Sequence, residues 1–137
     1  MPASESFRIP KHRRHVPPAR QRLRKTLADW GITDELADAV TLLANELVTY
    51  AVTHCRVSYS QIKVELTLSG TELALEVSDP DRERLPRPHH STPEEEGGRG
   101  LALVAALADS WGCRQEPYAK CVWARFGLEG AHVPATL

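Results

Sequence analysis

Cysteine is scarce in this 137-residue chain: Cys55, Cys113 and Cys121 are widely scattered and form no C-x-x-C pair. That excludes a disulfide framework and fits reduced thiols in a cytoplasm. The N-terminus lacks the apolar core of a secretory signal, and no run approaches the roughly 20 apolar residues that span a bilayer. The expectation is a soluble cytoplasmic protein without a membrane partner. An excess of charge is also missing: 17 Lys and Arg stand against 18 Asp and Glu, a formal net charge of -1. Nothing global therefore draws the chain to nucleic acid or anionic lipid. The 6 histidines form no pair at metal-ligand spacing, and no internal repeat is visible.

What is present suits one domain over residues 1–137, with 42% hydrophobic and 26% charged residues. The neutral total hides a basic stretch at 11–25, which holds Lys11, Arg13, Arg14, Arg20, Arg22, Arg24 and Lys25. In a neutral chain such a stretch reads first as a solvated helix face and only second as a nucleic-acid surface.

Periodicity predicts the elements. A short strand at 6–9 precedes a helix over about 19–30, entered after Pro17-Pro18 and ended by Gly31. Thr33 or Asp34 can cap a second helix, on which Leu36, Val40, Leu43, Leu47 and Ala51 draw one apolar stripe to about residue 54. Ile62, Val64, Leu66 and Leu68 alternate with polar residues, as do Leu73, Leu75 and Val77, and Gly70 turns one strand into the other. Strands at 110–116 and 120–126, joined at Pro117-Tyr118, make a second hairpin. Separated helices and hairpins of this kind define an α+β, two-layer sandwich, with a mixed, mostly antiparallel sheet and helices on one face.

Between the hairpins, residues 79–98 carry Pro80, Pro86, Pro88 and Pro93, many charges and almost no large apolar residues. A loop of that length in a compact domain reads as a lid. It runs into Gly97-Gly98-Arg99-Gly100-Leu101, followed by a helix over 101–108. Glycines let backbone N–H groups approach an anion, and a helix start favours negative charge, so this cluster reads as a phosphate cradle or as an ordinary loop-to-helix junction. Residues 129–137 read as a loose tail.

Three separated pieces occur in order: Glu46-Leu47-Val48-Thr49-Tyr50-Ala51-Val52-Thr53-His54, then Val77-Ser78-Asp79-Pro80, then Gly98-Arg99-Gly100-Leu101. Together they resemble the nucleotide-binding boxes of the histidine-kinase-like ATPase fold shared by gyrase, MutL and sensor kinases. The chain is most similar to the small bacterial anti-sigma factor/serine kinase group, from about residue 20 to residue 126, including the Ala-Leu-Ala-Asp-Ser-Trp-Gly run that ends at Gly112. The resemblance implies that Glu46 orients or deprotonates the attacking group and that Asp79 accepts a hydrogen bond from the adenine amine. It places Gly98, Gly100 and Leu101 at the phosphates; Arg99 between them reads either as a charged contact to phosphate or as a solvated loop arginine. The resemblance further implies ATP and Mg²⁺ as cofactors, a sigma factor and an anti-anti-sigma protein as partners, and a homodimer through the first strand and helix.

The chain also departs from that pattern. Tyr50 stands where the family has its Mg²⁺-ligating asparagine, and a neutral phenol is a poor ligand for a hard cation. Asn45, next to Glu46 in sequence, lies about 100° from it around the helix and cannot simply take the missing ligand's place. Pro80, Asp81 and Arg82 replace glycines expected after the adenine-binding aspartate, and Cys121 replaces a threonine expected to support the adenine site. Two functions follow: an ATP-binding anti-sigma-like regulator that phosphorylates a serine on its antagonist, or a catalytically degenerate module that only grips a partner.

Overall fold

The computed structural model describes residues 3–82 and 106–128. Strand β1 (Ala3–Pro10) leads through a 3-10 turn (Arg13–His15) into helices α1 (Val16–Asp29) and α2 (Asp34–His54). The hairpin β2 (Gln61–Ser69) and β3 (Glu72–Asp79) follows, and β4 (Ser110–Glu116) and β5 (Ala119–Gly127) form the second. The five strands make one sheet in the order β1-β2-β3-β5-β4.

The α+β class with helices on one face is as the patterning predicts. The mostly antiparallel sheet is found as well, and every strand pair among the described residues is antiparallel. Strand order and direction depend on how the pieces dock, and hydrophobic alternation reads the same for either heading.

The inner sheet face buries Ile62, Val64 and Leu66 of β2, Leu73, Leu75 and Val77 of β3, and Val122, Ala124 and Phe126 of β5. Register aligns them in rows, Val64 with Val77 with Val122 and Leu66 with Leu75 with Ala124. Against these rows pack Leu23 and Leu27 of α1 and Val40, Leu43, Leu47 and Ala51 of α2, the stripe read from spacing. Leu36 is only partly buried at its upper end. Each large apolar side chain so buried contributes about 1.5–3 kcal/mol.

Helix α1 begins at Val16, earlier than the prolines suggested. Pro17 and Pro18 lie in its first turn, where missing N–H groups would have had no helical partner. At its other end Gly31 takes φ +79, Gly31 N–H donates to Ala28 O at 3.0 Å and Ile32 N–H to Leu27 O at 2.9 Å. This is a Schellman closure, with Ile32 buried as its apolar contact. Thr33 is the N-cap of α2, although its side chain makes no capping bond. Asp34 and Glu35 put negative charge in the first turn, where the helix dipole favours it.

The basic stretch is largely engaged within the domain. Arg22 binds Glu5 at 2.7 Å and lies over the Phe7 ring, Lys25 pairs with Asp29, and Arg24 approaches Asp38. Lys11 donates to Cys55 O at 2.9 Å.

The predicted lid is described only over its first four residues, Asp79 to Arg82; the rest of it, the 101–105 part of the predicted helix and the 129–137 tail lie outside the described residues, whereas Ala106 and Leu107 are helical.

On the open sheet face, the Trp123 indole lies across Gly112, its register partner, so that a β-carbon there would meet the ring at 2.7 Å. Gly112→Ala is expected to lower stability by about 1–3 kcal/mol, measured by denaturant melts. Most of that loss should vanish in a Trp123→Ala background, where the obstructing ring is gone.

Candidate functional site

The site builds up from two strand ends and the last turns of α2. Inward-facing positions alternate along β3, so the register that buries Leu73, Leu75 and Val77 also turns Asp79 inward. Asp79 pairs in register with Lys120, the first inward position of β5. Both side chains are almost fully buried, at 2% and 1% exposure, and Lys120 Nζ lies 3.5 Å from Asp79 Oδ1. The same ammonium donates to the Asp81 carbonyl at 3.0 Å and sits 6.0 Å from the centre of the Tyr50 ring. Two charges are thus removed from water together, which is tolerable only with such mutual and backbone partners.

The segment after β3 is strapped down. Asp81 N–H donates to Asp79 Oδ1 at 2.8 Å, while the Asp81 carboxylate accepts from Arg56 N–H at 2.9 Å, just beyond α2. Arg82 Nε donates to Glu116 O at 2.7 Å, and Gln115 Nε2 returns a bond to Arg82 O at 2.8 Å. Where glycines were expected, Pro80, Asp81 and Arg82 join β3, α2 and the β4–β5 hairpin.

On α2, Tyr50 is buried and its ring lies 4.4 Å from that of His54. His54, the basic residue in the last turn of α2, is therefore the packing partner of Tyr50. Glu46 is half-buried one turn before Tyr50 and accepts a long bond of 3.5 Å from Asn45 Nδ2. Asn45 Oδ1 accepts from Arg20 at 2.7 Å, which commits that amide to α1. Thr53 is exposed.

The structure does not bring Cys121 to this cluster. The alternation that turns Lys120 and Val122 inward turns Cys121 to the other face. There its thiol lies 3.5 Å from Arg114 Nη2 and 3.7 Å from Glu76 Oε1. Burial pushes the Cys121 thiol up to about 11, so it is a neutral packing group. Lys120 is the residue that sits beside Asp79, and sequence reading missed it; the signal was strand phase, since β5 places residues 120, 122, 124 and 126 on one side. Gly98, Arg99, Gly100 and Leu101 lie outside the described residues.

Burial raises the Asp79 carboxyl above its ordinary 3.8, with Lys120 and the Asp81 N–H pulling the other way. The Asp81 carboxyl is lowered, first by the Arg56 N–H bond. A cavity of about 880 Å³ opens mainly on the other sheet face; its lining reaches Asp79 and Pro80 at the strand end but neither Tyr50 nor Glu46. Its charged walls already pair among themselves, Arg114 with Glu76 and Glu116, Lys63 with Glu65. The inner cluster is therefore the better candidate.

A carboxylate held rigidly at a buried strand end fits an exocyclic amine of a purine. Tyr50 does not fit Mg²⁺: a phenol is a poor ligand for a hard cation, and its ring is buried against His54 with the Lys120 ammonium 6.0 Å from its centre. Among the described residues there is no group of three or more His, Cys, Asp or Glu able to hold a metal, and no helix long and apolar enough to cross a membrane.

Residues 9–126 match the family model of the histidine kinase-like ATPase domain, and the chain belongs to that family. The fold is similar to the crystal structure of the RsbU and RsbW domains of Rv1364c from Mycobacterium tuberculosis, with a TM-score of 0.67 and 19% identity. That similarity covers 90% of this chain and 32% of the other, so this chain spans about a third of that structure's length. No curated protein matches.

Because the folded Asp81 carboxyl titrates below its ordinary 3.8, its stabilisation is complete above that value and is lost as pH falls through the folded one. Asp81→Asn is expected to lower stability by about 1–3 kcal/mol near neutral pH and to flatten the acid limb of stability against pH, read from thermal melts between about pH 3 and pH 7.

Proposed function

We propose that this domain is an anti-sigma-factor-like regulator that binds an adenine nucleotide at the Asp79 end of its helix–sheet cleft and uses it to govern its grip on a protein partner. The observation that carries this reading is the buried, oriented Asp79 carboxylate at the end of β3, beside the C-terminal turns of α2. Family membership supports nucleotide binding. The anti-sigma assignment rests on the resemblance of the 46–54 and 100–112 runs to that group, and the likeness to a structure with an RsbW domain adds the shared fold.

Each residue then has a task. Asp79 accepts from the adenine amine, and Asp81 holds that carboxylate in place through its N–H. Gly98, Arg99, Gly100 and Leu101 are assigned to the phosphates. Bound ATP supplies a transferable γ-phosphoryl group. Glu46, half-buried on α2, is the carboxylate assigned to orient an acceptor serine on an anti-anti-sigma protein. The partners proposed are that antagonist and a sigma factor, with a homodimer through β1 and α1, in the cytoplasm.

One observation favours a second reading, a degenerate module that grips its partner without phosphoryl transfer. Tyr50 is buried against His54 at the position where the family's chemistry requires a metal ligand, and a neutral, packed phenol is a poor one.

Calorimetric titration with ATP and ADP, with and without Mg²⁺, tests both. The expected result is nucleotide binding that gains little from Mg²⁺. No binding at about 1 mM nucleotide, an affinity weaker than about -4 kcal/mol, overturns nucleotide binding and leaves the partner-gripping module. Tyr50→Asn is expected to tighten Mg²⁺-ATP binding about tenfold while costing about 3 kcal/mol of stability from the lost ring. Unchanged or weaker Mg²⁺-ATP affinity in a folded variant counts against the role assigned to that position.

A further inference from the structure

Lys120 is the buried charge that neither the sequence motifs nor the proposed function uses. A lysine at 1% exposure is uncommon, because its ammonium loses hydration that only close partners replace. Its partners here converge on the candidate base site: the Asp79 carboxylate at 3.5 Å, the Asp81 carbonyl at 3.0 Å and the Tyr50 ring at 6.0 Å. Both Asp79 contacts among the described residues, from Lys120 and from Asp81 N–H, fall on Oδ1, which leaves Oδ2 as the oxygen for a ligand.

We propose that Lys120 is the positioning residue of the base site: by clamping Oδ1 of Asp79 it holds that side chain as a charged, oriented acceptor for the exocyclic amine of a purine. The inference rests on the nucleotide-binding reading above. The physical need is specific. Burial favours the protonated form of Asp79, and a protonated carboxyl is a poor acceptor for an amine N–H. Lys120 is the cation that opposes this from within the sheet. Among the described residues, the other groups around the pair do not substitute for it. Asp81 adds negative charge, Arg56 is turned to the Asp81 carboxylate, Tyr50 and His54 of α2 pack on each other, and Cys113 of β4 is a thiol kept neutral by burial.

The test compares the wild-type chain with Lys120→Met, Lys120→Gln and Lys120→Arg, each checked for folding by thermal melts. Carboxyl ¹³C NMR titration without nucleotide reads the Asp79 midpoint directly. Met and Gln are expected to raise it by about one pH unit or more, whereas Arg, which keeps the charge, leaves it near the wild-type value. Calorimetry with ATP should then show the Met and Gln variants weaker than the wild type and the Arg variant, with the deficit shrinking as pH rises, and the comparison between variants cancels the titration of the phosphates. An Asp79 midpoint that does not move overturns the proposal, as does a midpoint that moves while ATP affinity stays constant. A wild-type chain that binds no ATP overturns the nucleotide-binding reading itself, and is thereby distinguished from failure of the Lys120 role alone.

Discussion

The buried ion pair between Lys120 and Asp79 joins the two hairpins of the sheet and sets the shape of everything at that end of the molecule. A lone ammonium or a lone carboxylate at this depth would be prohibitively desolvated, so each residue is tolerated only because the other is in register beside it. Removing one partner of such a pair typically costs about 3–5 kcal/mol, more than a single core methyl group contributes. The pair therefore adds a constraint on the β3–β5 register to that of the apolar rows beneath it. It also recruits backbone: Asp81 gives its N–H to the carboxylate and its carbonyl to the ammonium.

From that pair a chain of bonds reaches the C-terminus of α2 through Asp81 and Arg56, and the turn of the second hairpin through Arg82 and Glu116. Glycines at 80–82 would have allowed this segment to adapt to a ligand. Proline, aspartate and arginine make it a brace, so this end of the cleft is preorganised, as the proposed base site requires. The opposite holds at position 50. A buried aromatic packed on His54 adds to the core, at the position where the family resemblance implies a metal-ligating amide.

Much of this was legible beforehand. Alternation marked β2 and β3 to within one or two residues, the 3-to-4 spacing from Leu36 to Ala51 marked the buried stripe of α2, and Gly31 and Gly70 marked the turns their positive φ requires. These signals are local: burying one face of a strand or helix needs apolar residues at a fixed period, whatever the partner. The helix start at Val16 was less legible, because a proline in the first turn and a proline just before a helix look alike in sequence.

What sequence alone determined was the set of elements and the apolar face of each, and it named the Asp79 and Glu46 carboxylates as candidates for the chemistry. Tertiary structure alone decided which neighbours those groups have. Lys120 and Cys121 are adjacent in sequence and lie on opposite faces, and only pairing of β5 with β3 makes Lys120 the partner of Asp79 and leaves Cys121 beside Glu76 and Arg114. Likewise, Asn45 beside Glu46 is claimed by Arg20 from another helix. A residue's type and period are written in its own segment, whereas the charge that opposes it arrives from a strand 41 positions away, through a register that the whole core enforces.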